Sequence, residues 1–125
     1  MNLVDSSGWL EYFGDGPNAD AFAPAVEDAS SLVVPTICLF EVAKRLLTSH
    51  DEDAALQAVA TMQEGTVVAL DEQLAVSAAL LSASERLPLA DSVILATARS
   101  RKATLWTQDA DLRGLDGVRY VEHAG

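Results

Sequence analysis

Short apolar runs alternate with longer helical segments along nearly the whole chain, and this alternation restricts the fold more than any other feature. The runs are Asn2 to Val4, SLVVP (31–35), TVVAL (66–70), TLWT (104–107) and GVRYVEH (117–123). Each is the length of a strand, and together they are rich in β-branched and aromatic residues. Strands separated by helices pair in parallel and need helical cover on both faces. The expected fold class is therefore α/β, a three-layer α/β/α domain with a mostly parallel central sheet of about five strands.

The connecting segments carry helix signals. SSGWLEYF sets Trp9, Leu10, Tyr12 and Phe13 on one side of a short helix, and GDGP (14–17) turns the chain. NADAFAPAVEDAS (18–30) reads as a modest helix with Asn18 as its cap and Pro24 as an irregularity. Thr36 is placed to cap ICLFEVAKRLLTS (37–49), whose apolar positions nearly encircle it, as in a helix lying inside a domain. HDEDAALQAVATMQEG (50–65) has acids in its first turn and a glycine stop at Gly65. Asp71 caps EQLAVSAALLSASERL (72–87), Pro88 interrupts, and LADSVILATARSRKA (89–103) begins with an acid and ends in cations. With 125 residues, half of them apolar, and no repeat or linker, a single domain over 1–125 is expected.

Other features exclude whole classes. The formal charge of −11 argues against a broad basic surface for nucleic acid, so any such binding needs a separate source of positive charge. A bound divalent cation would supply it. Cys38 is the only cysteine and sits in PTICLFEV as a small buried residue, which removes intrachain disulfides and cysteine-rich zinc sites. No uncharged apolar run approaches the ~18 residues of a membrane span, and MNLVDSSGW lacks the basic flank and apolar stretch of a signal peptide. A cytoplasmic protein without membrane contact is expected. G-x-S-x-G, Gly-rich phosphate loops and H-E-x-x-H are absent, and His50 and His123 lie at a helix break and in the tail.

Attention falls on the acids. In a parallel sheet, functional groups gather beyond the carboxyl ends of the strands, at a switch in strand order. Asp5 follows the first strand and Asp109 the fourth, while Asp91 opens the helix leading into that fourth strand. Each has a structural alternative: Asp5 as a helix cap, Asp91 as a dipole partner, Asp109 and Asp111 as turn residues, Glu41 paired with Arg45 at i+4. As a group they form a carboxylate cluster whose mutual repulsion a cation relieves. Hard ions such as Mg2+ and Mn2+ prefer oxygen ligands, and hydrolysis of a phosphodiester is the chemistry that suits them.

The chain resembles the PIN-domain family, in particular the VapC-type ribonuclease toxins of bacterial toxin–antitoxin pairs. The likeness runs essentially end to end through LVDSSGWLEYF, the glutamate within ICLFEVAKRLL, and LADSVILATARSRKATLWTQDADLRGL. It implies catalytic and metal-binding roles for Asp5, Glu41, Asp91 and Asp109, with Asp111 either binding metal through water or shaping the loop. Ser6 and Thr107 match small hydroxyl positions that orient carboxylates or waters. Leu112 departs from the phenylalanine common there in the family. The resemblance further implies one or two Mg2+ or Mn2+ ions, hydrolysis of single-stranded or loop RNA to a 5′-phosphate and a 3′-hydroxyl, a homodimer and a cognate antitoxin. An antitoxin helix would lie on apolar faces of the early helices, with its Arg or Lys in the acidic pocket.

Arg99, Arg101 and Lys102, and likewise Arg113 and Arg119, are candidates to steer RNA, although cations in the last turn of a helix are favourable in any protein. Trp9 and Trp106 sit in apolar patterns and are expected in the core. Two other readings compete. One is a catalytically silent protein-binding module of the same fold. The other is an aspartate-based phosphoryl-transfer protein, which DSS after the first strand fits poorly because D-x-D is expected there.

Overall fold

The computed structural model describes residues 1–124. Its strands are β1 (Asn2–Val4), β2 (Leu32–Pro35), β3 (Thr66–Val68), β4 (Thr104–Thr107) and β5 (Val118–Tyr120). The α-helices are α1 (Ser6–Phe13), α2 (Ala19–Val26), α3 (Thr36–Ser49), α4 (Glu52–Met62), α5 (Glu72–Glu85) and α6 (Leu89–Ser100). The sheet order is β3-β2-β1-β4-β5, and every strand pair is parallel. The expected α/β/α architecture is present, with a wholly parallel sheet.

The central strands are buried because both faces are covered. Leu3, Val4, Leu32, Val33, Val34 and Leu105 are fully buried or nearly so. α6 packs on β2 and β4 and against α5, and all eight residues from Asp91 to Ala98 are buried, so this helix is the interior one. α3 is more amphipathic than its sequence implies: only Cys38 and Val42 are fully buried, while Phe40 and Leu47 are exposed. Gly8 marks the tightest approach of α1. A Cβ there would lie 2.6 Å from Val4 Cγ1 and 2.9 Å from the Phe22 ring.

Several local expectations shift. Thr36 is the first residue of α3 rather than its cap, because Pro35 closes β2 and occupies the cap position without a capping side chain. Asn18 stands at the start of α2, but its amide donates to Gln108 Oε1 (3.0 Å) and to the Glu122 carbonyl (2.8 Å) instead of capping. Asp71 does cap α5, accepting from Leu74 N at 2.9 Å. The third and fifth strands keep only three residues each. Trp9 is fully buried, whereas Trp106 is half-buried, with its indole N–H donating to Asn2 Oδ1 and Arg119 lying over its ring at 4.5 Å.

Because the chain runs β1-β2-β3 to one side and then β4-β5 to the other, the order reverses between β1 and β4. The carboxyl ends of these neighbours, Val4 and Thr107, deliver Asp5 and the loop from Gln108 to Asp111 to one edge of the sheet.

Candidate metal centre

Asp5 is fixed at the switch point by local chemistry. It caps α1 by accepting from Gly8 N (3.0 Å), takes a hydrogen bond from Ser7 Oγ (2.7 Å) and one from Thr107 Oγ1 (2.5 Å). Its backbone N–H donates to the Trp106 carbonyl, extending the β1–β4 ladder. Only 3% of the residue is exposed. Burial raises its pKa and the Asp109 charge adds to that, while the three donors act in the opposite direction.

Thr107 joins the two halves of the site. The hydroxyl that donates to Asp5 also accepts from Asp109 N at 2.9 Å. Ser7 makes a second bridge, donating to Asp5 and accepting from Gln108 N at 3.2 Å. Asp109 then caps a 3₁₀ turn, Ala110–Leu112, by accepting from Asp111 N at 3.0 Å. Leu112 is fully buried beneath that turn and serves as its apolar anchor.

Thr107→Val keeps the shape of the side chain but removes both of these hydrogen bonds from a fully buried position. A loss of roughly 2–3 kcal/mol in unfolding free energy is expected, because a buried carboxyl acceptor and a part-buried N–H both lose a partner. Chemical denaturation checks this, and a variant as stable as wild type would refute the bridging role.

Asp91 stands in the first turn of α6 and meets the 109–111 loop. Oxygens of Asp91, Asp109 and Asp111 all lie within 4.8 Å of one another. The Asp91 pKa is pushed up to about 7, first by burial, then by the Asp109 charge and a hydrogen bond to Asp109 that favours the protonated acid, with smaller contributions from Asp5 and Asp111. Three clustered carboxylate oxygens with too little positive charge to balance them suit a hard divalent cation. The donor set fits Mg2+ or Mn2+.

The residues singled out in the sequence separate into distinct places. Asp91, Asp109 and Asp111 converge; Asp5 adjoins them electrostatically but is occupied by its three donors. Glu41 is outside the three-oxygen group. Its carboxylate accepts from Ser6 Oγ at 2.6 Å, a contact across the fold rather than the alternative pairing with Arg45 at i+4. Arg99, Arg101 and Lys102 lie at the opposite end of α6 from Asp91, roughly 12 Å or more along the helix axis. Arg99 donates to the Asp116 carbonyl. Arg113 lies over the Tyr120 ring, 5.4 Å from its centroid.

Ser7 was not among the sequence candidates, although an aspartate followed by serine at i+2 is a recognisable local hydrogen-bonding pattern. A cavity of about 780 Å³ also opens beside Asp109, between α1, α3 and α4. Its wall includes Arg45, His50 and His123, which no sequence spacing connects.

The family model described as PIN domain matches residues 3–118. No match was found among curated proteins. Among solved structures, a toxin–antitoxin complex from Klebsiella pneumoniae contains a chain of TM-score 0.80 and 23% identity, the match covering 95% of this chain and 96% of that one. VapC20 of Mycobacterium tuberculosis, described as a sarcin–ricin-loop-cleaving toxin, has a TM-score of 0.72 at 19% identity, with 95% and 99% covered. VapBC2 from Rickettsia felis, bound to a DNA fragment from its promoter, has a TM-score of 0.73 at 10% identity, with 96% of each chain covered. At these identities the structural likeness is one of fold.

Proposed function

The chain belongs to the PIN domain family, and from that membership we propose that it is a Mg2+- or Mn2+-dependent endoribonuclease, the toxin of a pair neutralised by a cognate antitoxin. The observation that carries the reading is the group of Asp91, Asp109 and Asp111 oxygens beside buried Asp5 at the reversal of strand order. The toxin and toxin–antitoxin descriptions of similar folds support it.

In this reading Asp91, Asp109 and Asp111 hold the ion. When bound, the ion supplies Lewis-acid polarisation of the scissile phosphate and a lower pKa for water. Asp5, held by Thr107, Ser7 and Gly8, keeps the loop bearing Asp109 in register and adds negative charge at the rear of the site. Glu41 acts from the α3 side through Ser6, which is next to Asp5 in sequence. Water is the nucleophile and the 3′ oxygen is the leaving group, taking up a proton as the P–O3′ bond breaks, so the products carry a 5′-phosphate and a 3′-hydroxyl.

Exposed apolar side chains support the remaining proposed partners. Phe40, Leu47 and Leu56 on α3 and α4 provide surface for an antitoxin helix, and a cation from that partner would neutralise the acids. Val76 and Leu80 on α5, with Leu89 on α6, provide surface for a second copy. No helix among the described residues is long and apolar enough to cross a membrane, and the proposed place of action is the cytoplasm.

The test is a transcriptome-wide map of new RNA 5′-phosphate ends after induction in a bacterial host, with Asp91→Asn as the control. Ends present with wild type and absent with the variant are expected, and they would name the target. Identical maps would leave a catalytically silent binding module.

A further inference from the structure

The cavity beside Asp109 is lined by two carboxylates, Glu11 and Asp109, and by three basic side chains, and Glu11 is already engaged by the Asn18 backbone N–H at 2.8 Å. The chain has only eight Lys and Arg and two His, yet Arg45 and both histidines line this one cavity. Other cations are engaged elsewhere: Lys44 over Phe40, Arg113 over Tyr120, Arg119 over Trp106. His50 Nδ1 lies 2.8 Å from Ser49 Oγ, which leaves Nε2 for a ligand. His123 is carried on the tail that Asn18 anchors through the Glu122 carbonyl. Phe13, stacked on Trp9, contributes an aromatic ring to the same wall.

We infer that this cleft is an RNA subsite in which Arg45, His50 and His123 contact backbone phosphates on one side of the scissile bond. The inference rests on the nuclease reading and deepens it. A chain of net charge −11 repels a polyanion at long range, so affinity must come from contacts inside a site. A cation at the acid centre serves only the phosphate that lies there. The neighbouring phosphates need other donors, and guanidinium and imidazole N–H groups supply them. The Phe13 ring offers a stacking surface to a base without requiring a particular sequence.

The experiment is fluorescence anisotropy with a fluorescein-labelled, mixed-sequence, single-stranded RNA dodecamer in Ca2+, with probe integrity checked on a gel. The triple variant Arg45→Gln, His50→Gln, His123→Gln is expected to bind roughly 10- to 100-fold more weakly. Its log K against log salt should be flatter by about 0.7 for the lost Arg45 contact, with Mn2+ affinity by calorimetry unchanged. If the triple variant misfolds, Arg45→Gln and His123→Gln alone should each weaken binding about 3- to 10-fold. Equal affinity and equal salt slope overturn the subsite, as does a wild-type chain that binds no RNA. A variant that keeps RNA affinity but loses its antitoxin makes the cleft a protein-docking groove and also overturns it. Cleft-dependent binding without new 5′-phosphate ends would sink the nuclease reading and leave the cleft as an RNA-binding site without a scissile bond.

Discussion

Replacing Asp91 by asparagine is expected to weaken Mn2+ binding by roughly 100-fold or more and to take RNA cleavage below detection, with the fold intact. The substitution is nearly isosteric and sits in the first turn of α6, so the packing of that buried helix should survive. What changes is the charge. Asp91 shares its site with Asp109 and Asp111, and without it one of three convergent carboxylates is lost. The metal-free variant should also melt several degrees higher than wild type near pH 8, because a repelling buried charge is removed. After allowance for solvent screening, about 1–2 kcal/mol is expected. Calorimetric Mn2+ titration and thermal melts measure both effects. Undiminished Mn2+ affinity would remove Asp91 from the ligand set.

The site thus divides its carboxylates by environment. Asp5 is buried and satisfied by one backbone and two hydroxyl donors, so it is an anchor of the β1–β4 junction as well as an acid. Asp91, Asp109 and Asp111 have fewer protein donors and more mutual repulsion, which is the condition that favours an ion. Under the proposed function, the stability lost to clustering in the metal-free protein would become binding free energy on entry of a cation.

Much of this was legible because it is local. Asp5 after a three-residue apolar run, Asp71 before EQL, and Asp91 behind Pro88 each sit where helix starts impose a carboxylate preference, and the strand–helix alternation made the parallel sheet nearly unavoidable. What stayed hidden depends on tertiary closure. Glu41 has Arg45 one turn away but is engaged by Ser6, 35 residues distant, once α1 and α3 pack together. His50 at a helix end and His123 in the tail meet in one cavity only because Asn18 ties the tail to the start of α2. Thr36 offered a good cap by residue type, yet Pro35 stands at the cap position and Thr36 falls one residue inside the helix.

The pH dependence of metal-free stability gives the second large expected effect. The folded Asp91 pKa of about 7 lies above its ordinary value of 3.8, so the folded state binds this proton more tightly than the unfolded chain does. The favourable contribution is therefore full below about pH 4 and is lost as pH rises through about 7. Asp5 is shifted in the same direction by burial. Other carboxylates titrate in this range too, so the informative quantity is the stability of wild type minus that of Asp91→Asn, measured by denaturant titration at successive pH values. That difference should fall between pH 4 and pH 7.5 and then level off. Saturating Mn2+ should reverse the trend for wild type, since the cation competes with the same protons and its affinity rises with pH. A difference independent of pH, with a Mn2+ stabilisation equally flat, would mean that Asp91 carries no shifted proton and does not face the ion.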